Sequence, residues 1–83
     1  MKGFPIAEVH WGDAWIDSKD YSLKDVKNLK PVLRKTVGYL VSETDECIIL
    51  VTDLYTEEKD KDTVNTPMVI PLGMVSEWYQ IGD

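Results

Sequence analysis

The sequence predicts a mainly β fold: a small, strongly bent barrel of five strands with one short helix at about residues 22 to 30. Three observations predict it. The stretch TVGYLVSETDECIILVTDL, residues 36 to 54, holds two apolar runs rich in β-branched residues, Thr36 to Ser42 and Cys47 to Leu54. They flank the polar tetrapeptide Glu43, Thr44, Asp45, Glu46, the pattern of an antiparallel hairpin with a four-residue loop. The second run is apolar on both faces, with Cys47, Ile49 and Val51 on one side and Ile48, Leu50 and Leu54 on the other, so a curled sheet or a subunit contact is needed to cover it. Gly38, inside a strand, marks a place where the sheet bends sharply or another backbone comes close.

The remaining elements follow in order. Residues 5 to 11 alternate, with Ala7, Val9 and Trp11 on one face and Ile6, Glu8 and His10 on the other, which predicts a short first strand. Gly12 and Asp13 break that pattern, and DAWIDSKD reads as an ordered loop pinned by Trp15 and Ile16. Ser22 stands three residues before Asp25 as an N-cap, and Leu23, Val26 and Leu29 recur until Pro31 stops a helix of about two turns. Lys24, Lys27 and Lys30 share that period and form a ridge on its other flank. The second strand runs from about Val32 through Ser42. After the third, residues 56 to 65 have almost nothing to bury and predict a mobile surface loop. The proline-bracketed PMVIP, residues 67 to 71, is a short edge strand. Leu72 and Gly73 turn the chain into a closing strand, Met74 to Ile81, with Val75, Tyr79 and Ile81 on one face and Trp78 on the other.

Size and charge bound the function. A chain of 83 residues predicts a single domain, residues 1 to 83, and buries only about 60 to 65 % of the surface its unfolded form exposes. The lone Cys47 excludes an internal disulfide and suits a buried thiol acting as a small hydrophobe, so self-association is the expected source of further burial. The opening MKGFPIAEVHW is broken by Pro5, Glu8 and His10, and no run of about 18 apolar residues occurs, so neither targeting segment nor membrane contact is expected and a cytoplasmic location is. The net charge of −6 disfavours nucleic acid and anionic membranes. It is unevenly placed: Lys19 to Lys35 carries six basic and two acidic residues, so this stretch is +4 and the remainder −10.

Catalytic chemistry has little to start from. His10 and Cys47 are the only residues of their types, too few for a His/Cys metal site, and nothing in their spacing suggests a nucleophile pair. Asp60 and Asp62 lack the glycine turn and terminal glutamate of a calcium loop, and no glycine-rich phosphate loop is present. No cofactor, no metal and no enzymatic activity are expected. The candidates for binding are Trp11, Trp15 and Trp78, large anchors that fill a core or stack on a partner, and the lysines Lys24, Lys27 and Lys30, a solvated face or a contact for an anion or acidic partner.

WGDAW near the start, TVGYLVSETDE in the middle and VIPLGMV near the end together resemble short, mostly uncharacterised proteins encoded by bacteriophages and prophages. That resemblance covers most of the chain and implies a viral origin, with a bacterial host's cytoplasm as the setting. The expected barrel is SH3-like or Sm-like, and the order of elements is also similar to the Sm-like small barrels, among them the bacterial RNA chaperone Hfq, which form rings that bind RNA. Gly38 and Leu40 fall where the first Sm signature has its glycine and the apolar residue after it, while Asp45 comes one position late and apolar sequence around Ile48 stands where that family has its RNA-contacting asparagine. The expectation is therefore a non-enzymatic accessory protein that self-associates and acts by binding a host protein or a small ligand such as a nucleotide signal. A ring-forming RNA binder is the alternative.

Overall fold

A computed structural model describes residues 3–83. The elements, in order, are β1 (Ile6–Asp13), α1 (Leu23–Val26), β2 (Val32–Glu43), β3 (Cys47–Val51), a 3-10 turn at Glu58–Asp60, β4 (Met68–Pro71), a second 3-10 turn at Leu72–Met74 and β5 (Val75–Gly82). The five strands make one antiparallel sheet, ordered β4, β3, β2, β1, β5. This is the expected mainly β architecture, a small, bent, barrel-like sheet. Among the described residues no ladder joins β4 to β5; the turn Leu72–Met74 connects them, tied down by the Leu72 N–H donating to the Glu46 carbonyl (2.9 Å).

The long strand β2 sets the shape. Its first seven residues pair with β1 only, Tyr39 pairs with both β1 and β3, and beyond Tyr39 the pairing to Glu43 is with β3. Gly38 lies at the changeover, and a Cβ there would fall 2.8 Å from the Val51 carbonyl oxygen and 3.2 Å from Leu50 Cβ. Only hydrogen fits, so glycine is what lets β2 press onto β3. A register shift between Leu40 and Ser42 adds to the bend. The bent sheet encloses Ala7, Val9, Ile48, Leu50 and Ile70, all at most 2 % exposed, with Trp11, Leu40, Leu72, Val75 and Trp78 packed around them.

Several boundaries differ from the sequence reading, each for a local reason. Thr44 closes the β2–β3 turn: its Oγ1 accepts from the Glu46 and Cys47 N–H groups (3.1 and 3.2 Å), while Glu43 still pairs with Ile48, so the loop is Thr44 to Glu46. β3 ends at Val51, leaving Leu54 in the loop that follows. In β5 the register shifts between Glu77 and Val75, a bulge at Ser76. That shift puts Val75 on the core beside Trp78 rather than on the opposite face. The helix is one turn, not the expected two over residues 22 to 30. Ser22 does cap it, its Oγ accepting from the Asp25 N–H (3.0 Å), but beyond Val26 only the turn bonds Asn28 N–H to Asp25 and Leu29 N–H to Val26 follow. Short helices persist through tertiary packing, and α1 makes no substantial contact with any other element.

The molecule measures 56 × 24 × 19 Å with a radius of gyration of 16.6 Å. A compact chain of this length has a radius of about 12 Å. The excess length comes from a projecting arm, and no helix among the described residues is long and apolar enough to cross a membrane.

Candidate functional site

The arm begins where the sheet loses its outer strands. β5 leaves β1 at the Trp11 and Val75 pair, so Gly12 and Asp13 pair only with Leu33 and Val32. On the other side of β2, no strand covers residues 32 to 38 among the described residues. What remains is a two-stranded ribbon tipped by residues 14 to 31. At its base Arg34 Nε donates to Asp13 Oδ2 (2.6 Å), a half-exposed pair. Pro31 packs against Gly12, where a Cβ would come within 3.3 Å of the ring.

The tip is held by its own polar contacts. Trp15 Nε1 donates to the Lys30 carbonyl (2.6 Å), stitching the two ends of the connection together. Asp17 accepts from the Lys19 N–H (3.0 Å) and from the Tyr21 hydroxyl (2.8 Å). These two bonds, the Lys19 one first, hold the Asp17 carboxyl below its ordinary value, and the bond to Asp17 raises the Tyr21 phenol. Lys19 Nζ lies 5.4 Å from the centre of the Tyr21 ring.

This scaffold displays apolar side chains to solvent. Ile16 is 97 % exposed, Leu33 84 % and Leu23 78 %, and Trp15, Val26 and Leu29 are each exposed by about two-fifths. Trp15, Ile16, Leu23, Val26 and Leu29 line an open groove of about 670 Å³, with Lys19 and Lys30 at its margin. The expected role of Ile16 as a pin for the loop is not what the structure has: Trp15 does the pinning and Ile16 points away from all cover.

Of the six candidate binding residues, four share one segment. Trp15, Lys24, Lys27 and Lys30 are all exposed and all on the arm. Of the ridge of lysines, Lys24 lies in α1, Lys27 is its C-cap and still has helical backbone angles, and Lys30 lies beyond it, because α1 ends at Val26. Trp11 and Trp78 lie elsewhere, half-buried against the core; Trp11 Nε1 donates to Thr36 Oγ1 (2.9 Å), and Trp78 sits beside Val9 in the β1–β5 ladder.

A polar cluster on the outer face of β1 and β5 was not singled out from the sequence. His10 Nε2 lies 2.7 Å from Glu8 Oε2, its Nδ1 lies 3.1 Å from Glu77 Oε1, and the Tyr79 hydroxyl donates to Glu8 (2.6 Å). Neutral imidazole has one N–H and can donate to one carboxylate, whereas imidazolium donates to both. The bonds from His10 and then Tyr79 lower the Glu8 carboxyl, and the bond to Glu8 raises the Tyr79 phenol. The alternation that put Glu8 and His10 on one face was the available signal; their partners Glu77 and Tyr79 depend on the β1–β5 register, which alternation within a single strand does not give. Among the described residues no group of three or more His, Cys, Asp or Glu is arranged to hold a metal ion.

Compared with protein-family models, with curated proteins and with solved structures, the chain matches none.

Proposed function

We propose that this chain acts by binding, with no chemistry of its own, as an accessory protein of the bacteriophage kind its sequence resembles, in the cytoplasm of a bacterial host. The arm is the element that engages its partner. One observation carries this reading: Ile16, Leu23 and Leu33 stand exposed on an arm carried out from the sheet by the β1–β2 ladder, its tip tied by its own hydrogen bonds. Exposed apolar clusters of this kind mark interaction sites. The groove that Ile16 and Leu23 line is open, which favours a macromolecular partner over a small ligand such as a nucleotide, since small-ligand pockets enclose most of what they bind. The polar cluster around His10 supports no catalytic reading, because its groups are engaged with one another and no nucleophile is activated beside it.

A photo-crosslinking residue at Ile16, in protein produced inside bacteria, tests the assignment. It is expected to capture one specific protein, a host protein or a second copy of this chain, with capture lost in a Leu23→Asp, Leu33→Asp variant that keeps its fold. Undiminished capture by that variant overturns the role of the arm. The RNA-binding alternative rests on Lys24, Lys27 and Lys30 standing exposed on one arm with Trp15. A gel shift that weakens steeply with salt and disappears when the three lysines become Ala would favour it.

A further inference from the structure

We infer that the arm docks on a second copy of this chain: the basic, apolar tip of one molecule seats against the acidic cleft between Tyr39 and the loop after β3 of the next, in a head-to-tail contact. This rests on the arm being the binding element and names what it binds.

The cleft has a volume of about 480 Å³ and is lined by Tyr39, Leu54, Tyr55, Asp53, Glu57 and Glu58. At Thr52 it adjoins a second, almost wholly apolar groove of about 310 Å³ walled by Val37, Leu50, Pro67 and Met68. Residues 53 to 62 carry five acids and two lysines, a net charge of −3; Lys59 pairs with Glu57 at 3.5 Å, and Lys61, which also lines the cleft, pairs with Glu58 at 3.0 Å. The surface on offer is thus an apolar floor with a negative rim. The arm is its counterpart, apolar residues flanked by Lys19, Lys24, Lys27 and Lys30 in a stretch of net charge +4.

The arm has no access to the cleft of its own chain. Tyr39 lies seven residues along β2 from Val32, roughly 23 Å in an extended strand, and the β1–β2 ladder is unbroken over that span. A second copy has no such restraint. Because arm and cleft are different surfaces, the contact is heterologous, and every copy uses one of each.

The area fits as well. The chain exposes 6554 Å². A compact monomer of 9.5 kDa exposes roughly 5,000 Å², so about 1,500 Å² is in excess. A standard interface takes about 800 Å² from each partner, and a copy that contributes both its arm and its cleft would bury about twice that.

Charge reversal on the purified protein, followed by light scattering on a size-exclusion column, is the test. Wild type is expected to run above 9.5 kDa at low salt and to dissociate in part at molar salt. Reversing the arm (K24E, K27E, K30E) or the cleft (D53K, E57K, E58K) alone is expected to weaken association by about a hundredfold or more. Mixing the two variants, or combining all six changes in one chain, is expected to restore it, an outcome that damage to folding does not produce. A wild-type mass of 9.5 kDa at low salt overturns the inference, as does an oligomer indifferent to both reversals or one that nuclease treatment dissolves. If the wild type is monomeric while crosslinking at Ile16 still captures a host protein, the self-docking inference fails and the arm keeps its role. If arm variants alter neither readout, both fail.

Discussion

The two ends of the β1–β2 ladder have the same secondary structure and opposite surroundings. At one end Ala7 pairs with Gly38 and Val9 with Thr36; β5 flanks β1, β3 joins β2 just beyond Gly38, and Ala7 and Val9 are fully buried. At the other end Gly12 pairs with Leu33 and Asp13 with Val32, no further strand is added, and Leu33 is 84 % exposed. Both ends are strand because both satisfy their backbone groups across one continuous antiparallel ladder. Only one is core, because burial requires a third and fourth strand to curl over the face. Pairing and burial are thus separate properties of a sheet, and this chain separates them along one strand.

The comparison breaks most sharply at the body. Gly38→Val puts a branched side chain where even a Cβ would lie 2.8 Å from a backbone oxygen, and a loss of about 4 kcal/mol or more is expected, enough to unfold a marginal chain. Ile48→Ala, at a wholly buried position, is expected to cost about 3 kcal/mol. Urea unfolding followed by tryptophan fluorescence measures both. In the same assay, run in molar salt and at a dilution where copies are dissociated, Leu33→Ser or Ile16→Ser is expected to change stability by no more than about 0.5 kcal/mol, although each removes a larger aliphatic side chain than the valines of the core. A large loss at Leu33 under those conditions would show that the arm is packed against its own chain.

The body was legible in the sequence for physical reasons. Hydrophobic alternation fixes a strand's faces and the Gly38 signal marks a close backbone approach, so the hairpin, the bend and five strands followed from local rules. The arm was not legible, because Leu23, Val26 and Leu29 have the spacing of a buried helix face and sequence spacing does not reveal whether anything arrives to cover it. The same limit applied to the aromatic residues. Trp11 and Trp78 line the core and Trp15 does not, yet all three were equal candidates until the topology distributed them. The phase of β5 was misjudged for a different reason: a single extra residue at Ser76 changes which face every side chain before it occupies.

A smaller effect sharpens the contrast from the arm's side. Trp15→Phe keeps the ring and deletes the N–H that bridges to the Lys30 carbonyl. One such bond is worth about 1 kcal/mol, so amide exchange within residues 14 to 31 is expected to accelerate about fivefold. Global unfolding is expected to stay within about 0.5 kcal/mol of wild type, since no core contact is touched. Slowed global recovery or a shared loss of protection in β1 and β5 would join the arm to the body as one cooperative unit.

The smallest effect is a pH dependence that differs between the two regions. Glu8, on the body, is held below its ordinary value of 4.5 by bonds from His10 and Tyr79, and Asp17, on the arm, below 3.8 by the Lys19 N–H and the Tyr21 hydroxyl. A carboxylate depressed in the folded state binds its proton more weakly than the unfolded chain does, so its contribution to stability is complete above the ordinary value and is lost as pH falls through the lowered one. For Glu8 that loss begins near pH 4.5 and continues below it, and for Asp17 it begins near pH 3.8. Asp17 is exposed and Glu8 retains a quarter of its side-chain exposure, so the changes are small and salt-sensitive. Their destinations differ. Glu8 ties β1 to β5, so its protonation is expected to lower the urea midpoint of global unfolding, and Glu8→Gln is expected to flatten that part of the acid profile. Asp17 ties residues of the arm only to one another, so Asp17→Asn is expected to leave the profile unchanged and to alter amide exchange around Lys19 and Tyr21 alone. An Asp17→Asn variant that flattens the global profile as much as Glu8→Gln would mean that the arm and the body unfold together, and the separation of pairing from burial along β2 would not extend to stability.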